Sequence, residues 1–304
     1  RTVRRHVRFV WAPGHPAVRT VLGLSGWTFG WVLANQAALF LVYVLANGRP
    51  GDVTVYFLTY TIFLLPHGIV SVSIISAVQP ELADRWAAGD LDGFRRQIGV
   101  GIRTIAALLV PAAVGYVLLA RPIVSVLLEH GALGGAGADR VAGTLALMAL
   151  GLPVFSTWLF LTSAYQAMQN TRSLFFLYLV ENGINVVAAL ALYPVLGVEG
   201  LGLAFALAYA GGTAAALVDL RRRTGGLDGG AVGRSLSRIA AASAAMAVAV
   251  VGVRLATSGL GSAGIGAAVR AGVATVTGVT VYLAGSRIFG VGELRSMLSF
   301  RRRA

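Results

Sequence analysis

An acid inside a long apolar run is the first group in this chain whose setting could do chemistry. Glu181 lies about eight residues into LFFLYLVENGINVVAAL, with Asn182 and Asn185 beside it. An ionisable side chain at the centre of a membrane helix costs about 2.5–3.5 kcal/mol on insertion scales, so it needs a use or a partner. Glu181 and Asn185 are four apart and share a helix face. With Asn182 they could form a cavity-facing site for ion or proton coupling. Equally, Glu181 could be a buried carboxyl bonded to Asn185 or to a neighbouring helix. Asn35 and Gln36 fall mid-run in the first apolar stretch, where amides face a substrate or join helices. His67, next to Pro66, could titrate near neutral pH or bridge two helices. Arg103 and Arg172 stand at the ends of apolar runs. A guanidinium fork there can contact a substrate or anchor a helix at the interface. Four scattered histidines and no cysteine give no metal cluster. No nucleophile elbow, P-loop, HExxH or dinucleotide fingerprint appears, so the chain reads as no enzyme and calls for no cofactor.

Helices in a bilayer must position these groups. The chain is 57% hydrophobic and 12% charged, with mean hydropathy +0.76, against about 25% charge in a soluble domain. It reads as an all-α polytopic membrane protein. A span needs roughly 20 apolar residues, and eight runs qualify: 20–47, 53–80, 100–120, 141–168, 173–193, 199–219, 236–256 and 266–286. The net charge of +13 does not point to nucleic acid, because the arginines sit in short loops and form no continuous basic face. With both ends on the cytoplasmic side, twenty arginines fall inside and five outside, which sets the orientation.

Five regions follow: a basic interface segment (1–19), six spans (20–220), a cytoplasmic linker (221–235), two more spans (236–286) and a basic tail (287–304). The stretch from Leu64 to Arg103 reads as a cytoplasmic hairpin. Its first helix is expected to end at Pro80, its loop to carry Trp86 and Phe94, and its second helix to start near Arg103. A run over Ile123–Leu128 extends the third span past Pro122. Pro66, Pro111 and Pro153 fall inside spans two, three and four, as packing kinks or as hinges for a rocking motion. The first residue is Arg rather than Met, which fits a piece of a longer chain.

The run LPHGIVSVSIISAVQPELADRWAAGDLDGFRRQIGVGIRTIAALLVPAAVGYVLLARPIVSVLLEHGAL (65–133) resembles the MurJ/MviN family. These are lipid II flippases of the multidrug/oligosaccharidyl-lipid/polysaccharide exporter superfamily. Further matches are ALGLPVF (149–155), AYQAMQNTR (164–172) and PVLGVEGLGLAFALAYAGGTAAALVDLRRR (194–223). The resemblance implies a bacterial plasma-membrane protein of two six-helix lobes and two extra helices lining a lipid groove. This chain would be the second lobe with those two helices, and a missing N-terminal lobe would be its partner. The implied activity is alternating access that flips lipid II, or another undecaprenyl-pyrophosphate-linked substrate, while membrane lipids hold the tail. An exporter of another lipid-linked polysaccharide or a drug, and a non-transporting scaffold for cell-wall synthesis, stay open.

The resemblance also bears on single residues. It makes Arg103 the first choice for the pyrophosphate and places Glu129 and His130 where the family has Glu-Arg; Arg172, Asn35 and Gln36 are the other substrate-binding candidates. The family's acid in the first helix of this lobe falls at Val42. Its Asp-Arg pair falls at Tyr60 and Thr61, and its Glu at Leu64, so the head-group arginine it places there is replaced.

Overall fold

The computed structural model describes residues 16–128, 134–227, 229–257 and 264–293. The expected interface segment over 1–15, Glu129, His130 and most of the basic tail lie outside the described residues. Among the described residues the long elements are all α-helices. They are α1 (Pro16–Ala46), α2 (Asp52–Ala87), α3 (Leu91–Leu128), α4 (Gly135–Ala149), α5 (Leu152–Ala167), α6 (Thr171–Leu196), α7 (Val198–Thr224), α8 (Gly229–Ala256) and α9 (Gly264–Ile288). Seven of them are long and apolar enough to cross a bilayer alone. The pair α4 and α5 meets the same criterion only when taken together, with a bend of 53° at its break, which brings the total to seven spans or up to eight. The described residues therefore form an all-α, multi-pass bundle, with up to six spans through α7 and two more in α8 and α9.

Three expectations are corrected. α2 does not stop at Pro80 but runs on to Ala87, and α3 begins at Leu91. The polar stretch read as a loop is helix on both sides of a short turn, because its charges clasp each other. Arg85 donates to Glu81 at 2.6 Å and to Asp90 at 2.9 Å, and Gln97 donates to Glu81 at 2.8 Å. Gly89 takes φ +71° to make the turn, and Trp86 packs on Phe94 at 5.3 Å. Span four is not one helix over 141–168 but two helices. Pro153 sits in the first turn of α5, where its missing N–H would have no helical partner anyway, so it is not an interior kink. Finally, helix reaches well into the arginine linker: α7 ends at Thr224 and α8 starts at Gly229.

The interior prolines show how such helices survive in lipid. Proline at position i leaves the carbonyl at i−4 without its N–H donor, and no water in the bilayer core can replace it. Three of these carbonyls receive a donor from a neighbouring helix. Tyr116 of α3 donates to the Ile62 carbonyl freed by Pro66, at 2.7 Å. Tyr282 of α9 donates to the Ala107 carbonyl freed by Pro111, at 2.5 Å. Arg254 of α8 donates to the Leu118 carbonyl freed by Pro122, at 2.6 Å. The kinks are thus tied across helices in a chain running from α9 and α8 through α3 to α2.

Two apolar cores result. A large one joins α1 to α7, around Phe63, Leu109, Phe155 and Trp158. A smaller one seats α8 and α9 on α3, through Ala106, Leu119, Ile239, Ala242, Met246 and Ala274. Large apolar side chains such as Phe40 (71%), Val248 (74%) and Val276 (68%) stay exposed, as a bilayer-facing surface requires.

Tyr282→Phe should remove the Ala107 cap and keep the ring. The expected loss is about 1–2 kcal/mol of stability, read as a lower melting temperature in detergent; an unchanged transition would show the cap to be dispensable. The turn should respond to pH. The Gly93 N–H, and after it Arg85, hold the Asp90 carboxyl below its usual value, about 3.9. Its contribution is therefore complete above that value and lost as pH falls through the lowered one. Amide exchange over 88–93, corrected for intrinsic rate, should accelerate only in that acid range.

Candidate functional site

α6 starts where the Asn170 side chain accepts from the Ser173 N–H at 3.2 Å, an N-cap that sets the helix phase. That phase turns Glu181 inward, onto α7. Gly212 is what lets the two helices meet there: a Cβ on it would lie 2.8 Å from the Glu181 Cβ and 3.1 Å from the Trp158 ring. Glu181 is 1% exposed, and its Oε2 has no hydrogen-bond partner. It borders a cavity of about 100 Å³ whose wall also holds Asn35, Tyr43, Tyr56, Tyr60, Asn182, Asn185 and Tyr209. Leu39, Val42 and Phe205 complete the lining.

The structure thus gathers Asn35 with Glu181, Asn182 and Asn185, four of the residues singled out from the sequence. The bond considered between Glu181 and Asn185 is not formed among the described residues. The Asn182 amide turns to its own helix and donates to the Tyr178 carbonyl at 2.8 Å. Gln36 is exposed and outside the cavity wall, one residue and so roughly 100° round the helix from Asn35. Tyr43, Tyr56 and Tyr209 were missed, and Tyr60 entered the sequence reading only as the position of a family acid. Beyond that, the four-residue spacing of Tyr56 and Tyr60 is a sequence signal, and it reads equally as ordinary packing.

The arginine candidates lie elsewhere. Arg103 borders a separate cavity of about 410 Å³ with Arg96, Arg234 and Arg238, and its Nε is 3.0 Å from Glu293. Arg172 is exposed, with its guanidinium 5.8 Å from the Trp27 ring centre. His67 faces the Ser156 hydroxyl at 2.9 Å and joins α2 to α5. A third, apolar cavity of about 380 Å³ runs between α3, α8 and α9. Pro66, Pro111, Tyr116 and Tyr282 all line it, so two of the proline kinks and their tyrosine caps form its wall. Pro153 does not.

At the opposite end, Asp52 is wholly buried, paired with Arg140 and accepting from Tyr193 at 3.0 Å. Arg49 donates to the Pro194 carbonyl at 3.1 Å. This cluster ties the α1–α2 loop to α4 and α6, and the sequence reading did not foresee it. Among the described residues no three His, Asp or Glu side chains converge as metal ligands.

Comparison with known proteins names the architecture. The profile of the family described as lipid II flippase MurJ matches residues 1–269. A Rhizobium tropici protein named probable lipid II flippase MurJ is 30% identical over 174 residues, 57% of this chain and 33% of its own length. A Thermosipho africanus protein named lipid II flippase MurJ is 25% identical over 146 residues, 48% of this chain and 30% of its own. The chain spans about a third of the length of the relatives it matches. A solved lipid II flippase MurJ in an inward closed conformation superposes with TM-score 0.73 at 19% identity, over 93% of this chain and 56% of that one. An outward-facing multidrug resistance transporter of the MATE family and MOP superfamily gives TM-score 0.58 at 13% identity, over 91% of this chain and 67% of that one. The two superpositions carry the shared fold, and the profile match over most of the chain carries the kinship: the chain belongs to the lipid II flippase MurJ family.

Proposed function

We propose that this chain is the ion-coupled half of a transporter that flips lipid II across the bacterial plasma membrane by alternating access. The observation that carries the proposal is the Glu181 cavity. One buried acid with an unpaired oxygen faces a small space walled by amides and phenols. A carboxylate in that setting is stabilised by a cation, a proton or an alkali-metal ion, and is costly without one. Binding and release of that cation can therefore bias the lobe between two arrangements.

Val42 and Tyr60 support the reading. At these positions the family resemblance calls for acids, and here both line the Glu181 cavity. The space keeps a carboxylate, delivered from α6 instead of α1 or α2. The six spans over 20–220 would rock as a lobe, with Pro66 and Pro111 as its hinges. α8 and α9 would hold the polyprenyl tail in the apolar groove. The wall facing this lobe would come from the part of the family fold that the chain does not cover. The arginine-rich end, with Arg85, Arg95, Arg96, Arg221, Arg222 and Arg223, would face the cytoplasm.

Two measurements test this. The first is delivery of lipid II to the outer leaflet in a flippase-depleted bacterium expressing the intact protein. Rescue is expected, and a well-expressed protein that moves no lipid II would refute the assignment. The second uses Glu181→Gln, which keeps the shape and removes the charge. Flipping should fall by about tenfold or more and lose its dependence on the ion gradient. Stability should hold or rise by about 1 kcal/mol, because an uncompensated buried acid is costly. Unaltered flipping in a less stable protein would make Glu181 a packing residue.

A further inference from the structure

Four guanidiniums line one cavity at the arginine-rich end: Arg96 and Arg103 from α3, Arg234 and Arg238 from α8. Like charges gathered in one concavity repel, and such a cluster is stabilised by an anion held among its forks. Part of an anion site is already assembled. The carboxylate of Glu293, just beyond α9, lies 3.0 Å from the Arg103 Nε and accepts from the Ser235 hydroxyl at 3.0 Å. Arg238 spends one Nη on the Gly290 carbonyl at 3.2 Å, and Arg96 feels Asp90 in the neighbouring turn. Within the cavity wall, four cations still face a single acid.

The position matters as much as the charge. The apolar groove begins one turn further along α3, at Ala107, and runs past Tyr282 on α9. The same three segments therefore carry a cationic cavity at one end and an apolar channel beside it, which is the layout of a lipid with a charged head. Several forks together suit a pyrophosphate, with its two adjacent anionic groups, better than a single phosphodiester.

Resting on the flippase reading above, we infer that this cavity docks the pyrophosphate of a polyprenyl-linked lipid drawn from the adjacent leaflet. Glu293 is an internal plug: it occupies part of the anion site in the empty protein and is displaced when the lipid docks.

The test is lipid binding to the intact protein in nanodiscs, read by native mass spectrometry. Undecaprenyl pyrophosphate is the probe, phosphatidylglycerol the single-phosphate lipid, and inorganic pyrophosphate the tail-free competitor. Glu293→Gln should bind undecaprenyl pyrophosphate about three- to tenfold more tightly. The double variant Arg96→Gln, Arg234→Gln should bind it about tenfold more weakly at an unchanged melting temperature. Inorganic pyrophosphate should compete, and phosphatidylglycerol should respond to neither variant. Equal response of phosphatidylglycerol would overturn the pyrophosphate assignment. Wild-type affinity in both variants, in a protein that still flips lipid II, would overturn the docking site and leave the flippase reading intact. A protein that neither flips lipid II nor binds the probe would overturn both.

Discussion

A backbone carbonyl stripped of its N–H donor inside a bilayer must find another donor in the protein, and this fold is arranged around that demand. The residue at i−4 from Pro66, from Pro111 and from Pro122 is met in each case by a side chain from another helix. Each bond does two things: it makes a kink tolerable in lipid and fixes which helix stands beside it. α8 and α9 are thereby joined to α3 by two polar bonds as well as by the small apolar core they share with it.

The same demand shapes the groove. Its wall contains Pro66, Pro111, Tyr116 and Tyr282, so the bends that open the space and the hydroxyls that stabilise those bends are contiguous. A chain entering the groove would press on capped kinks rather than on straight helices.

Charge is separated along the molecule. Near the arginine-rich end, Glu293 and the four arginines around it face one cavity. At the far end, Asp52 is held by Arg140 and Tyr193. Between them, Glu181 borders a cavity with no arginine in its lining, and one of its oxygens is unpaired. Asp52 and Glu293 have charged partners, whereas the mid-helix acid of α6 keeps one oxygen without a hydrogen bond. Burying an acid on those terms costs stability.

The sequence alone determined that the chain is helical and membrane-spanning, and roughly where each span lies. Repeated apolar runs of about twenty residues, almost free of charge, match the thickness of a bilayer. Glu181 was legible for the same reason, since a mid-span acid stands out by its cost. Tertiary structure decided what the acid faces. The one-residue step from Asn35 to Gln36 separates cavity from exterior, and only the packing of α1 against α6 says which is which. It also decided that Arg103 faces Glu293 from the end of α9, 190 positions away in sequence, and that Tyr282 reaches Ala107, 175 positions away. Such pairs are set by how helices lie against one another, and local composition carries no record of it. The break before Pro153 and the helical turn after Pro80 belong here too. A proline marks where a helix can change course, but neighbouring side chains decide whether it does.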